Sequence, residues 1–365
     1  MVDFIVGETV TGRILATLPI VTGRWSAVLN QAGNIEATIP LSDPSVASMP
    51  ELRAVIEPWR IFLGARVGAR IIEAGPILAH DYDDPTQRLT LKAAGLGALF
   101  GRRLVTRDTD DVATAAPLAY TGLSLRTIAK RLVERGTGKP GAALPVVPED
   151  DITGGHERTY DGYELGDVTE RLTQLSEVQG GPDIAFEPRL TSAGTHVEWV
   201  VRTGTPLSQV GDAWRWDVGQ PKGGVGGLSV SLDASQMTSK VFVTGQGFEQ
   251  SMLVGVATDS APWARGYPLL ESAATYSQET SQANLDAHAA RRLAEGARPR
   301  QTWKLQVQAD TYPMLGEYRP GDRALVTVPA SHPYLTPGPY ETRIGGLSGD
   351  ETGLVVHLDL EPTEV

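Results

Sequence analysis

No cysteine occurs among the 365 residues, which excludes a disulfide framework, a thiol nucleophile and a Cys-ligated zinc site. The absence fits folding in a reducing cytosol. Long apolar runs are missing too: no window approaches the ~18 uncharged apolar residues that span a bilayer. The opening MVDFIVGETVTGRIL lacks the basic region and continuous apolar core of a signal peptide, so the chain is expected to be soluble as synthesised. Positive charge is scarce, with 32 Lys and Arg against 44 Asp and Glu and a net charge of −12. A chain this acidic repels a phosphate backbone, which argues against a dedicated nucleic-acid binder.

Catalytic wording is equally thin. The glycines Gly223, Gly224, Gly226 and Gly227 follow Lys222 instead of preceding it, so no Walker loop is present and a mobile loop tip is expected. The six histidines (His80, His156, His196, His288, His332, His357) form no H-E-x-x-H pair, since Gly155-His156-Glu157 lacks a second ligand. Gly346-Leu347-Ser348-Gly349 has the wrong spacing for a nucleophile elbow. Asp81, Asp83 and Asp84 offer oxygens to a hard cation, but they lack the spacing of a calcium loop, and Asp-Asp-Pro is a common turn opener. Asp161, Glu164, Asp167 and Glu170 step by three, as helix capping requires. Trp199, Trp214, Trp216 and Trp263 are the residues available for a sugar-stacking platform, although core anchoring is the commoner use of Trp. No catalytic, cofactor-binding or metal-binding residue is assigned, and no cofactor is expected.

What the chain does have is turn chemistry and short alternating strands. Its 40 Gly and 25 Pro punctuate many brief β runs, and its length exceeds what a single core usually serves. Thr9 to Leu18, Ser26 to Leu29 and Asn34 to Ile39 read as strands of an N-terminal β module. Pro50 to Leu63 begins with helical spacing that Pro58 breaks, leaving a short turn before another strand. Arg70 to Leu78 alternates, Asp83-Asp84-Pro85 turns, and Arg88 to Leu91 returns before a short helical turn that ends at Gly101. Thr106 to Pro117 reads as a connection.

Ser124 caps a helix whose apolar residues Leu125, Ile128, Ala129, Leu132 and Val133 share a face, with Gly136 placed to end it. Thr137 to Gly155 reads as a loop. A second helix is expected from about Val168 to Val178 with Asp167 as its cap, and a third over Ser281 to Glu295. Between them lie a hairpin, Ile184 to Leu190 with Val197, Trp199 and Val201 on one face, and strand-like alternation from Leu228 to Gly245. Trp263 to Pro268 reads as a turn region before another short strand. The cleanest β signal closes the chain: Trp303, Leu305 and Val307 alternate, then Ala324 to Val328, Tyr340 to Ile344 and Leu354 to Leu360, with Pro320-Gly321-Asp322 as a turn.

Between Ile71 and Val105 the wording E-x-G-P-I-x-x-x-x-Y-D-D, then L-x-L-x-A-A-G-L-x-x-L-F-x-R-R-L-V, resembles minor tail proteins of long-tailed phages, specifically tail-tip hub proteins. The closing run, with Gly321-Asp322 before a strand and Arg343-Ile344 before the last hairpin, is similar to the final barrel of such hubs. The resemblance implies a mainly β fold with an α+β middle domain: two similar tube-type β-barrels plus helix-containing inserted domains. It divides the chain into an N-terminal barrel (1–105), a helix-containing middle domain (106–182), the first part of a second barrel (183–218), an inserted α+β segment (219–300) and the rest of that barrel (301–365).

It further implies a non-enzymatic structural protein of the virion tail tip, a homotrimeric ring that closes or continues the tail tube. Implied partners are distal tail, tail tube, tape measure and other tip or receptor-binding proteins, with transient passage of DNA through an acidic channel. The chain stops directly after its last strand, so it reads as a bare hub. The alternatives are a glycan-binding minor tail protein acting through the Trp residues, and a wall hydrolase using a carboxylate pair.

Overall fold

The computed structural model describes residues 1–47, 56–178, 180–204, 213–220 and 224–362. The helical spacing read over residues 50–55, the glycine at 223 and the lysine at 222 lie outside the described residues. The N-terminal module comprises β1 (Asp3–Glu8), β2 (Ile14–Leu18), β3 (Thr22–Val28), β4 (Asn34–Pro40), a single turn α1 (Pro44–Ala47), β5 (Ile61–Val67), β6 (Arg70–Asp83), β7 (Arg88–Ala94) and the turn α2 (Gly97–Phe100). Its strands run in the order β2-β1-β5-β6-β7-β4-β3, all antiparallel. β1 reads as a continuous apolar run because both of its faces are covered: Phe4 and Val6 enter one apolar cluster and Ile5 another. In β5, Ile61, Leu63 and Ala65 point to the first cluster and Phe62 to the second, as a side-chain period of two demands.

The middle of the chain supplies β8 (Leu118–Leu123), α3 (Leu125–Thr137), β9 (Val146–Pro148), β10 (Thr153–Tyr160), α4 (Val168–Ser176), β11 (Asp183–Leu190) and β12 (Val197–Gly204). Ser124 accepts the N–H of Thr127 at 3.1 Å and Asp167 that of Glu170 at 2.8 Å, the caps expected of both residues. Gly136 lies inside α3 instead of ending it, because Phe100 packs against that turn and a Cβ there would stand 3.1 Å from its ring. Gly138 caps the helix. The stretch read as a loop from Thr137 to Gly155 holds β9 and the start of β10. β9 is only three residues long and takes its place by parallel pairing with β12, a non-local contact that no local pattern announces.

Next come β13 (Trp214–Asp217) and β14 (Val225–Asp233), then an insert of β15 (Lys240–Thr244), β16 (Val254–Thr258), the turn α5 (Ala261–Ala264), β17 (Glu271–Thr275) and α6 (Gln282–Gly296). The chain closes with β18 (Arg300–Gln308), β19 (Arg323–Val328), β20 (Gly338–Asp350) and β21 (Val355–Pro362). β20 is long, like β6. Its first half pairs with β19, and beyond an irregularity at Ile344–Gly346 it pairs with β3, Gly346 opposite Val28 and Asp350 opposite Arg24. This seam joins both ends of the chain into one sheet of 13 strands over a shared core that contains Phe4, Trp25, Trp216 and Trp303. Gly349 makes the seam possible, since a Cβ there would lie 2.5 Å from the Trp25 ring.

Three further placements differ from the sequence reading. β11 and β12 pair with β9 instead of opening a second barrel over 183–218; only β13 of that stretch joins the closing sheet, beside β19. The reason is that Val197, Trp199 and Val201 complete the cluster that covers Ile5, Phe62 and Ala74 on the outer side of the N-terminal strands. β14, expected in the inserted segment, pairs with β18 in the closing sheet. The glycines Gly224, Gly226 and Gly227, expected as a mobile tip, lead into and begin β14, where the register shift between Val225 and Gly227 marks an irregular start.

Candidate functional site

The sequence E-x-G-P at the centre of β6 has a steric and a polar explanation. Glu73 is buried between strands, its Oε1 accepting the N–H of Ala74 at 3.0 Å and its carboxyl also receiving the N–H of Gly33. Glycine at 33 and 95 leaves room for that carboxyl: a Cβ at Gly95 would stand 3.0 Å from Glu73 Oε1. A Cβ at Gly75 would fall 2.0 Å from the carbonyl oxygen of Ala94, so only glycine lets β6 pass the end of β7. Pro76 ends the pairing of β6 with β5, after which β6 turns to β7. Burial pushes the Glu73 carboxyl up to about 8, against the smaller opposing pull of the two backbone N–H groups.

Above this carboxyl, the start of β6, β11 and the loop from Leu315 to Pro320 meet the end of β3, the turn from Gly95 to Gly97 and Leu347 of β20. They enclose a cavity of about 160 Å³ walled by Leu96, Phe186, Leu315, Tyr318 and Leu347. The Tyr318 hydroxyl is buried with no hydrogen-bond partner among the described residues. Arg70, Arg189 and Arg319 stand around the cavity. Arg70 donates to the carbonyl of Gly316, Arg189 pairs with Glu198 at 2.7 Å, and Arg319 pairs with Glu187, which Arg202 also holds at 2.6 Å.

A polar network binds the same parts together. Asn30, in the left-handed region at the β3–β4 turn, accepts the N–H of Ile184 at 2.7 Å and donates to Asp183 at 2.9 Å. Asp183 pairs with Arg343 at 2.9 Å, and Arg343 reaches Glu361 at 2.7 Å. Nearby, buried Asp322 accepts the Trp214 indole N–H and the Arg319 amide, both at 3.0 Å, and burial raises its carboxyl.

The residues singled out from sequence are scattered. Asp81 pairs with Lys92 at 2.6 Å, Asp83 accepts from Thr86, and Asp84 accepts the Tyr82 hydroxyl at 2.9 Å, so each carboxylate is occupied within its own hairpin. Among the described residues no group of three His, Asp or Glu side chains is placed to hold a metal ion, and no helix is long and apolar enough to cross a membrane. Glu164 pairs with Arg171 at 2.6 Å, Asp161 accepts from Tyr163 at 3.1 Å, and Asp167 caps α4. His80, His156 and His357 are exposed, and His332 accepts the N–H of Leu335 at 2.9 Å. His196 contacts the hydroxyl of Thr195, and His288 is buried against Tyr276. Gly346 to Gly349 lie within β20.

The four tryptophans do not form a platform: Trp199 and Trp216 are core residues, Trp199 donating to the Ala74 carbonyl at 2.9 Å, while Trp263 donates to Ser239 in the insert. Sequence reasoning missed Glu73 and Tyr318. The signal for Glu73 was present, as one acid set inside R-I-I-E-A-G-P-I.

No family model matches the chain, and no curated protein matches it by sequence. Solved structures do. The tail protein from Neisseria meningitidis MC58 aligns over 99% of this chain and 95% of its own, at 17% identity and a TM-score of 0.59. The 43 kDa tail protein of prophage MuSo2 from Shewanella oneidensis aligns over 99% and 98%, at 13% identity and a TM-score of 0.59. Prophage tail protein gp18 from Listeria monocytogenes EGD-e aligns over 98% and 94%, at 12% identity and a TM-score of 0.53. The mainly β fold with few helices is thus the fold of these phage tail proteins, in agreement with the resemblance read from the sequence.

Proposed function

We propose that the chain is a structural, non-enzymatic hub of a phage tail tip. In this reading three copies form a ring that closes or continues the tail tube and joins it to distal tail and tip proteins. The observation that carries the reading is the β3–β20 seam, which fuses the first and last β modules into one 13-stranded sheet. That continuous fold is shared with prophage tail proteins over nearly the whole chain. A role in connection needs such a rigid frame and no catalytic constellation. Its units are the N-terminal module up to residue 105 and a closing module of 301–365 completed by β13 and β14, with helix-containing parts between them. The net charge of −12 suits a channel along which DNA slides without sticking, so acidic side chains outnumber basic ones on the channel wall.

Light scattering coupled to size exclusion tests the assembly. A trimer, formed alone or on mixing with tail-tube or distal-tail protein, is the expected result. A strict monomer under both conditions overturns the ring.

A further inference from the structure

The closing β module repeats the strand plan of the first, down to its registers. β7, β4 and β3 follow β6 across the sheet in the order in which β21, β18 and β14 follow β20. β5 pairs with the first half of β6 as far as Pro76, and β19 pairs with the first half of β20 as far as Arg343. The next residue is an isoleucine in both strands. The Ile77 carbonyl accepts the N–H of Trp59 and the Ile344 carbonyl that of Gly321, each from the loop just before the flanking strand. A shift in register follows at once, between Ile77 and Ala79 in β6 and between Ile344 and Gly346 in β20. Aligned on these points, Ala79 to Asp83 correspond to Gly346 to Asp350. Counted across the strands in the same way, Ser229 to Asp233 of β14 correspond to Arg24 to Val28 of β3.

Only one pairing lacks its counterpart. β20 uses its edge beyond Ile344 to pair with β3, from Gly346 opposite Val28 to Asp350 opposite Arg24. Among the described residues the same edge of β6, from Ala79 to Asp83, has no strand partner, and neither has the edge of β14 that corresponds to that of β3. Free edges present rows of backbone donors and acceptors, which proteins commonly blunt with charge or proline. The β14 sequence VGGLSVSLD holds no proline, and its one charge comes at the end.

Side chains on the two edges suit each other. Leu228 and Val230 pack against the shared core, which puts Leu232 on the same face of β14, yet Leu232 is more than half exposed. His80 and Tyr82 stand opposite buried Leu91 and Leu89 of β7 and share their face, and Tyr82 is also more than half exposed. In the internal seam the bulky Trp25 stands opposite Gly349. Transferred to the free edges, that register sets Tyr82 opposite Val230 and His80 opposite Leu232, so the bulky ring moves to the other strand. The other face then sets Asp81 opposite Ser231 and Asp83 opposite Ser229, with no like charges opposed.

We propose that, within the ring suggested above and resting on that reading, the β6 edge from Ala79 to Asp83 of one copy pairs antiparallel with the β14 edge of the next, as β20 pairs with β3 inside each chain. The two edges lie at opposite ends of the run β14-β18-β21-β20-β3-β4-β7-β6. Each copy offers one of each, so the contact is head-to-tail and continues around a ring instead of stopping at a pair.

The absence of native cysteine permits a direct test. Directly opposed residues of antiparallel strands hold their Cβ atoms ~4.5–5.5 Å apart, within reach of a disulfide. Chains carrying both Asp81→Cys and Ser231→Cys, two exposed positions, should be joined into dimers and trimers on mild oxidation, alone or with tail-tube and distal-tail protein. Chains carrying either cysteine alone should stay unjoined. Leu232→Lys charges the β14 edge without touching a core and should raise the midpoint concentration for association by roughly tenfold or more. A wild type that associates, with no joining of the double variant and no response to Leu232→Lys, overturns the strand pairing and leaves the ring standing. Joining through Ser231→Cys alone pairs two β14 edges about a two-fold axis and overturns the head-to-tail contact. A wild type that stays monomeric, alone and with tail-tube and distal-tail protein, overturns the ring and the pairing together.

Discussion

The Glu73 carboxyl occupies the space that a side chain at position 33 would need: a Cβ on Gly33 would stand 2.3 Å from Glu73 Oε2 and 2.1 Å from the carbonyl oxygen of Ser26. Gly33 is not among the residues with positive φ, so space and not backbone conformation requires glycine here. Gly33→Ala should therefore destabilise by ~2–3 kcal/mol through overpacking. Gly68, with φ +57 and nothing within 4 Å of where a Cβ would stand, isolates the conformational cost, and Gly68→Ala should lose only ~1 kcal/mol. Urea midpoints of the two variants compare them; equal losses would remove the steric argument.

The same carboxyl makes stability depend on pH in the direction opposite to that of most acids. An unfolded glutamate titrates near 4.5, whereas Glu73 in the fold is pushed up to about 8. The folded chain keeps a proton that the unfolded chain releases, so this contribution is complete below pH 4.5 and is lost as pH rises through 8. Glu73→Gln keeps an acceptor oxygen for the N–H groups of Gly33 and Ala74 and cannot ionise. The stability difference between variant and wild type should therefore move in the variant's favour from pH 5 to pH 8, by a few kcal/mol. A difference that stays flat across that window would mean that Glu73 titrates as an ordinary surface acid.

Trp199 decides between two uses of tryptophan. It is fully buried, donates to the Ala74 carbonyl at 2.9 Å and meets Phe62 edge-on at 5.6 Å, so it fastens the middle of the chain to the N-terminal strands. Trp199→Ala should cost ~3–5 kcal/mol. A glycan-stacking role would instead leave the denaturation midpoint unchanged and abolish wall binding.

Local grammar made much of this fold legible. Ser124 and Asp167 announce their helices because a cap is a contact between residues three apart. Trp303, Leu305 and Val307 announce β18 because one buried face imposes a period of two. What failed was non-local. β9 depends on parallel pairing with β12, and β11 and β12 turn to the N-terminal strands because Trp199 fits against Phe62, a match that no window of sequence contains. The candidate site was half legible: E-x-G-P marked the position of Glu73 in the chain, but the glycine nest around the carboxyl comes from Gly33 and Gly95, which are distant in sequence. Leu347 reaches the same cavity through the β3–β20 seam, and Tyr318 through the loop before β19.

The insert should detach before the rest unfolds. Its buried core consists of Val241, Val243, Leu285 and Ala289, a cluster separate from the two larger ones. Polar contacts tie it to the middle of the chain: Tyr276 to Glu177 at 2.8 Å, Arg171 to Gln278 at 3.0 Å and Arg158 to Asn284 at 3.2 Å. Such contacts contribute only about 1 kcal/mol each when partly exposed.

His288 sits behind this seam, buried and stacked on Tyr276 at 4.1 Å, with Glu279, Glu177, Arg158 and Arg292 as the charged groups around it. Burial holds its pKa below the ordinary 6.5, so the neutral ring is the form that the fold favours. That contribution is present above pH 6.5 and is lost as pH falls and the unfolded or detached form takes up the proton. Amide exchange in β15, β16 and α6 should therefore accelerate between pH 7 and pH 5 relative to α3, once the intrinsic pH dependence is removed. His288→Phe keeps the stack and cannot be charged, so it should abolish that acceleration. If wild type and variant accelerate equally, the charge on His288 is not what releases the insert, and the polar seam itself would have to be the acid-sensitive part.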